Sequence, residues 1–198
     1  MIVTNPHGIA LISTSPRRKM LLETYGYDVE VIPPRAAESI GELPPAEIAV
    51  DNAIKKFISV SFNGVGLAAD TVVVLDDRIL GKPGSEDEAR EYLRALSGKT
   101  HEVITGYVIG TNGHPIVVGH EVTKVTFMQL TEFEIEYMLS SENLLDKAGA
   151  YAIQGSAGMF ITSIEGDYTN VIGLPLPSIY RHLKLKFNIL PRRWIGRS

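Results

Sequence analysis

A chain of 198 residues, 44% of them hydrophobic and 21% charged, has the size and balance of one compact domain or of two small lobes sharing a sheet. Its formal net charge of −4 sets aside bulk electrostatic attraction to nucleic acid, and the absence of cysteine excludes a disulfide scaffold, a thiol nucleophile and a thiolate-held metal. No run approaches the roughly 18 consecutive apolar residues of a membrane span, and Met1 to Ala10 has no signal-peptide pattern, so a soluble cytoplasmic protein is the expectation.

In chain order, Gly8 to Thr14 reads as a buried strand. Ser15-Pro16 predicts a helix start, with serine as cap and proline in the first helical position. Met20, Leu21, Leu22 and Tyr25 would form that helix's apolar face, and Gly26 would stop it. Tyr27 to Ile32 predicts a strand closed by Pro33-Pro34. A helix follows from about Pro45 to Phe62, with Val50, Ile54, Phe57 and Ile58 inward. Val65 to Leu75 is an apolar strand interrupted by Asp70, and Asp76-Asp77 marks a hairpin turn. Ser85 and Glu88 form a capping box for a helix whose face is Ala89, Tyr92, Leu93 and Leu96, ended by Gly98. Glu102 to Ile109 and Ile116 to Phe127 read as strands joined through Asn112-Gly113. Thr131 and Glu134 form a second capping box. Gly149 to Ile164 reads as short strands, and the last helix follows Pro177 with Ile179, Leu183 and Phe187 aligned. Strands and helices mix without strict alternation. The expected fold is therefore mixed α/β, a central twisted mixed sheet flanked by helices, within a single domain spanning 1–198. A basic tail runs from about 188. Between Arg181 and Ser198 the chain carries Arg181, Lys184, Lys186, Arg192, Arg193 and Arg197 and no acid, either a solvated end or a contact for an anion.

Two places carry chemistry. Ser15-Pro16-Arg17-Arg18 puts two arginines in the first turn of a helix, where the backbone dipole favours anions and disfavours cations by roughly 0.3–1 kcal/mol each. A bound polyanion would resolve that conflict through the free N–H groups and the guanidinium forks; full solvation of both side chains would also reduce it. Asp70 lies within Leu67-Ala68-Ala69-Asp70-Thr71-Val72-Val73-Val74, where an ionised carboxylate needs a metal, a cation or backbone donors. It reads as a metal ligand, a general base or half of a structural ion pair. Lys82 sits between Gly81 and Pro83 on a stiff corner, Lys56 lies beside Lys55 on the second helix, and Glu38 follows Pro33-Pro34 in a loop. Gly98-Lys99-Thr100 lacks the earlier glycine of a P-loop, since Leu93 stands there.

Together and in this order, several segments resemble the Maf nucleotide pyrophosphatases from about Ile9 to Leu183. They are Ser13 to Arg18, Ala69 to Val73, Gly81-Lys82-Pro83, Leu96 to Val103, Asp146 to Gly155 and Val171 to Leu176. The resemblance implies a Maf/ITPase-like fold with two lobes around a nucleotide-binding cleft. It implies hydrolysis of dTTP and UTP to the monophosphate and pyrophosphate, which cleanses nucleotide pools, in a cytoplasmic homodimer. It assigns Asp70, Lys56 and Lys82 to catalysis, and Ser13, Arg17, Arg18, Thr71 and Gln154 to substrate. Glu38 and Asp70 would hold Mg²⁺ or Mn²⁺. Arg17, Thr71 and Gln154 occupy the three places that distinguish the dTTP/UTP branch from one preferring 7-methyl-GTP. A glutamine amide matches the donor–acceptor edge of uracil or thymine. The chain departs from the family pattern at Phe57, where alanine usually follows the lysine, and in the stretch before Glu38. Because the family name is tied to septum formation, a nucleotide-sensing regulator of cell division with little turnover is the alternative.

Overall fold

The computed structural model describes residues 8–38 and 43–192. Of the basic tail, Arg193 and Arg197 lie outside the described residues, as does most of the segment Met1 to Ala10. The elements run β1 (Gly8–Ile12), α1 (Pro16–Thr24), β2 (Asp28–Ile32), α2 (Pro45–Ile58), β3 (Val65–Leu75), β4 (Arg78–Leu80), α3 (Glu86–Leu96), β5 (Thr100–Thr111), β6 (His114–Phe127), α4 (Glu132–Ser141), β7 (Ile161–Glu165), α5 (Tyr168–Ile172) and α6 (Leu176–Phe187). Among the described residues these strands form a seven-stranded sheet of order β2-β1-β3-β5-β6-β7, with β4 pairing β3. β1 pairs in parallel with both β2 and β3, whereas β3/β4 and β6/β7 are antiparallel. The sheet is mixed, as expected. No described helix is long and apolar enough to cross a membrane.

The chain divides into two compact units. The first comprises the described residues within 1–70, 105–120 and 173–198. Its core packs Ala53 and Phe57 of α2 against Ala10, Ile12, Ala68 and Val108 of β1, β3 and β5. The helix lies close to the sheet because Gly106 has no side chain: a Cβ there would meet the Ala49 carbonyl carbon at 2.4 Å. The second unit comprises residues 71–104 and 121–172. Its core gathers Leu93 and Leu96 of α3, Ile135 and Met138 of α4, and Val73, Val103, Val125 and Phe127 from the strands.

Local chemistry accounts for most boundaries. The Ser85 hydroxyl accepts from the Glu88 N–H, but the Glu88 carboxylate accepts from the Gly84 N–H, so only half of that predicted capping box forms; Thr131 with Glu134 makes both halves of the other. Asp76 and Asp77 both adopt positive φ, 49° and 65°, as a type I′ turn requires at its two central positions. In the β5–β6 hairpin only the second turn residue, Gly113 at φ 71°, is left-handed.

Four expectations fail. Ser15 precedes α1 but its side chain makes no cap; its N–H donates instead to Ser13 Oγ, 3.1 Å away. Met20 and Tyr25 are exposed, and only Leu21 and Leu22 of the expected face are buried. α2 ends at Ile58, not Phe62, because the Ser59 N–H and hydroxyl both turn back to the Lys56 carbonyl. Ile58 is exposed, and the buried stripe is Ile48, Ala49, Asn52, Ala53, Lys56 and Phe57. From Gly149 to Ile164, only Ile161 onward is strand; the rest contains two short 3-10 turns, Ala148–Ala150 and Ser156–Met159. Gly149 at φ 68° and Ala150 at φ 58° are left-handed, which a strand does not accommodate.

Candidate functional site

α2 brings a lysine and an asparagine into the interior of the first unit. Asn52 and Lys56 are four residues apart, so they lie one turn apart on one helical stripe. Both reach Asp70, which is 6% exposed. Asn52 Nδ2 donates to Asp70 Oδ2 at 2.9 Å, and Lys56 Nζ donates to Asp70 Oδ1 at 2.5 Å. The same ammonium lies 2.7 Å from Glu38 Oε1. Glu38 is half-exposed in the loop after β2, so Lys56 links a buried carboxylate to one that meets solvent. Taking two charges out of water costs several kcal/mol per ion, and such a pair persists only with its remaining polar atoms satisfied; Asn52 does this for Asp70. Asn52 escaped the sequence reading. Its signal was the i, i+4 spacing with Lys56, hidden by an apolar face assigned to the wrong side of the helix.

The two arginines of α1 have different surroundings. Arg18 is buried, with Nε donating to the Gly173 carbonyl at 2.9 Å and Nη1 to the Ala69 carbonyl at 2.7 Å. Nη1 also reaches Ser13 Oγ at 3.4 Å. Burial lowers its pKa, while the charges of Asp70 and Glu38 oppose that shift and Arg17 adds to it. Arg18 thus ties the β1–α1 turn to the residue preceding Asp70. Arg17 is half-buried in the first helical turn. The first unit therefore holds two sets of polar contacts, Arg18 with Ser13 and the Ala69 carbonyl, and Lys56 with Glu38 and Asp70, joined through the Ala69–Asp70 peptide bond.

Thr71, Lys82 and Gln154 belong to the second unit. Thr71 is half-buried on β3, directly after Asp70. Lys82 is exposed beyond β4, next to Gly81, whose carbonyl accepts from the Gly149 N–H at 3.0 Å. Gln154 is exposed between the two 3-10 turns. A buried aromatic group stands in the same unit. His101 Nε2 lies 2.7 Å from the Tyr151 hydroxyl, and its ring stacks on Phe127 at 5.7 Å. Burial pushes His101 down to about 4 and Tyr151 far up, so both are neutral at pH 7.

Hard divalent cations prefer oxygen ligands, and Mg²⁺ is commonly held by one or two carboxylates together with substrate phosphates and water. Glu38 and Asp70 supply that number, with oxygens that converge on a single ammonium. Among the described residues no cluster of three or more His, Cys, Asp or Glu forms a self-contained metal cage. The donor set fits a substrate-assisted hard cation.

Comparison of the sequence with known proteins gives a consistent result. The family model described as Maf-like protein matches residues 8–186. A protein of Pyrococcus abyssi (strain GE5 / Orsay), named dTTP/UTP pyrophosphatase, is 48% identical over 188 residues, covering 93% of this chain and 100% of the relative. One from Bacillus cereus with the same name is 46% identical over 185 residues, 91% of this chain and 96% of that protein. A looser similarity in shape, TM-score 0.42 at 13% identity, relates 61% of the chain to 71% of the Staphylococcus aureus Ham1 protein. With 179 consecutive positions matched and near-complete overlap with these relatives, the chain belongs to the Maf family.

Proposed function

We propose that this protein hydrolyses dTTP and UTP to the nucleoside monophosphate and pyrophosphate, and so removes unwanted nucleotides from the pool. The observation that carries the reading is the buried Asp70 carboxylate, held between Lys56 and Asn52 one residue from the backbone contact of Arg18. The names of relatives 46–48% identical over almost the whole chain support the substrate class.

The substrate brings about four negative charges, which repel a nucleophile, so catalysis depends on charge neutralisation and alignment. Arg17 and the α1 N-terminus bind phosphate oxygens. Arg18 adds its charge while fixing Ser13 and the backbone before Asp70. Lys56 and Lys82 neutralise charge that grows on the phosphoryl oxygens. Asp70 orients the attacking water and takes its proton as the water oxygen bonds to the alpha-phosphorus. The bond from that phosphorus to the bridging oxygen breaks, and pyrophosphate leaves. Mg²⁺ or Mn²⁺, held by Glu38 and Asp70 with the substrate's own phosphates, would supply further charge neutralisation. Thr71 and Gln154 contribute base selection, with the Gln154 amide offering one donor and one acceptor to the pyrimidine edge. A cytoplasmic homodimer completes the reading, and sedimentation at micromolar concentration tests the dimer.

Incubation with a panel of nucleoside triphosphates and Mg²⁺, measuring both pyrophosphate and orthophosphate, tests the reaction. Pyrophosphate release from dTTP and UTP above other nucleotides is the expected result. Orthophosphate release indicates a different hydrolase, and tight binding without product indicates the sensor.

A further inference from the structure

We propose that Glu142 is a positioning residue for base selection, acting through the turn that carries Gln154; the inference rests on the role given to Gln154 above. Glu142 ends α4, and its carboxylate ties together both ends of the segment that follows. Oε1 accepts from the Ser156 N–H at 2.9 Å and from the Ser156 hydroxyl at 3.0 Å. Oε2 lies 3.5 Å from Lys147 Nζ. Lys147 is itself buried, and its ammonium also contacts Asp146 Oδ1 at 2.8 Å and the Asn143 carbonyl. A single side chain thus fixes position 147 on one side of Gln154 and position 156 on the other.

The residue between Gln154 and Ser156 shows how closely the carboxylate approaches the turn. A Cβ on Gly155 would lie 2.0 Å from Glu142 Oε1 and 2.6 Å from its Cδ. Gly155 has φ −100°, so its role is to leave space and not to adopt a left-handed backbone. The turn closes through the Gly155 N–H to the Ala152 carbonyl at 3.0 Å and the Gly158 N–H to the Gly155 carbonyl at 3.1 Å. Gln154 itself is exposed. Its backbone is held by what flanks it, and an exposed side chain can discriminate bases only if the backbone beneath it is fixed. Displacements of about 1 Å in a positioning group cost on the order of 100-fold.

The test compares Glu142→Gln, Ser156→Ala, Gly155→Ala, Gln154→Ala and the double variant Glu142→Gln/Gln154→Ala, with kcat and KM for dTTP, UTP, dCTP and dATP. Glu142→Gln should lower kcat/KM for dTTP and UTP about 10-fold, mostly through KM, and change dCTP and dATP less than about 2-fold. Ser156→Ala, which removes only the hydroxyl contact, should move the same ratio about 3-fold, and Gly155→Ala should move it at least as far as Glu142→Gln. The double variant should lose no more selectivity than Gln154→Ala alone, since residues acting through one element are not additive. Equal losses on every nucleotide, or additive losses in the double variant, overturn the proposal. Should Glu142→Gln fail to fold, Ser156→Ala and Gly155→Ala decide: unchanged selectivity in both overturns it. If the wild-type protein releases no pyrophosphate, the underlying function fails. If Gln154→Ala abolishes selectivity while the Glu142, Gly155 and Ser156 variants keep it, this inference alone fails.

Discussion

Arg17 and Arg18 are neighbours in sequence with different surroundings, and substitution tests what each does. Arg18→Ala leaves the Gly173 and Ala69 carbonyls without the guanidinium. Each buried polar atom so deprived costs about 1–3 kcal/mol, so a loss of about 3 kcal/mol in urea unfolding is expected. Arg18→Lys should recover little, because an ammonium cannot span the same fork. Arg17→Ala should change stability by less than about 1 kcal/mol, yet lower kcat/KM for dTTP at least ~10-fold. Asp70→Asn should lose at least ~10² in kcat, the lower range for a general base. The amide has the carboxylate's shape, so a variant retaining full turnover removes Asp70 from proton transfer. That Asp70 would be partnered was legible in sequence, because a lone acid in an apolar strand demands it. The identity of its partners was not, since they arrive from a helix 14 and 18 residues earlier.

At the scale of elements, the position of α2 against the sheet is set by a missing side chain. Gly106→Ala would place a carbon 2.4 Å from both Ala49 C and Val50 N, within helix backbone that cannot move aside alone. Overpacking of this kind costs about 1–3 kcal/mol, and displacement of Asn52 and Lys56 should lower kcat as well. Parallel urea unfolding and turnover measurements check both effects. On β5, His101 makes stability pH-dependent. Its folded pKa, about 4, lies below the unfolded value near 6.5, so between these values the unfolded chain binds the extra proton. Stability from this group is present above pH 6.5 and is lost as pH falls toward 4, by on the order of 3 kcal/mol in total. His101→Gln should flatten that part of the pH–stability curve. Elements with a period or a cap were legible: β3 has the predicted bounds, and both capping residues, Ser85 and Thr131, accept the predicted backbone N–H. The segment from Gly149 to Ile164 was not legible, because the left-handed pair Gly149-Ala150 follows tertiary contacts, Gly149 against Val73 and its N–H to the Gly81 carbonyl, that no local pattern announces. Asn52 was not legible for a different reason: two buried polar residues, Asn52 and Lys56, replace part of the apolar stripe of α2.

For the molecule as a whole, ligand binding links function to folding. A dTTP analogue that resists hydrolysis, added with Mg²⁺ at about 100 times its Kd, should stabilise the protein by about 2.7 kcal/mol. In a chain of this length that corresponds to a Tm increase of about 5–10 °C. Arg17→Ala, with its affinity lowered at least ~10-fold, should show no more than about half of that increase at the same concentration, and an equal increase in both proteins would remove Arg17 from phosphate binding. The net charge of −4 makes this informative, since the overall field repels a polyanion and only local cations can reverse it.

The β3–β4 hairpin imposes a further constraint. Its turn has only two residues, both left-handed, and it fixes the register Leu75↔Arg78, Val74↔Ile79 and Val73↔Leu80. Because side chains alternate faces along a strand, one added residue at the tip would turn every β4 side chain over and carry Lys82 along by a step. Surface loops ordinarily tolerate changes in length, but this one acts as a ruler between Thr71 and Lys82. Its tip should accept Asp77→Gly, which suits the backbone, and reject any insertion.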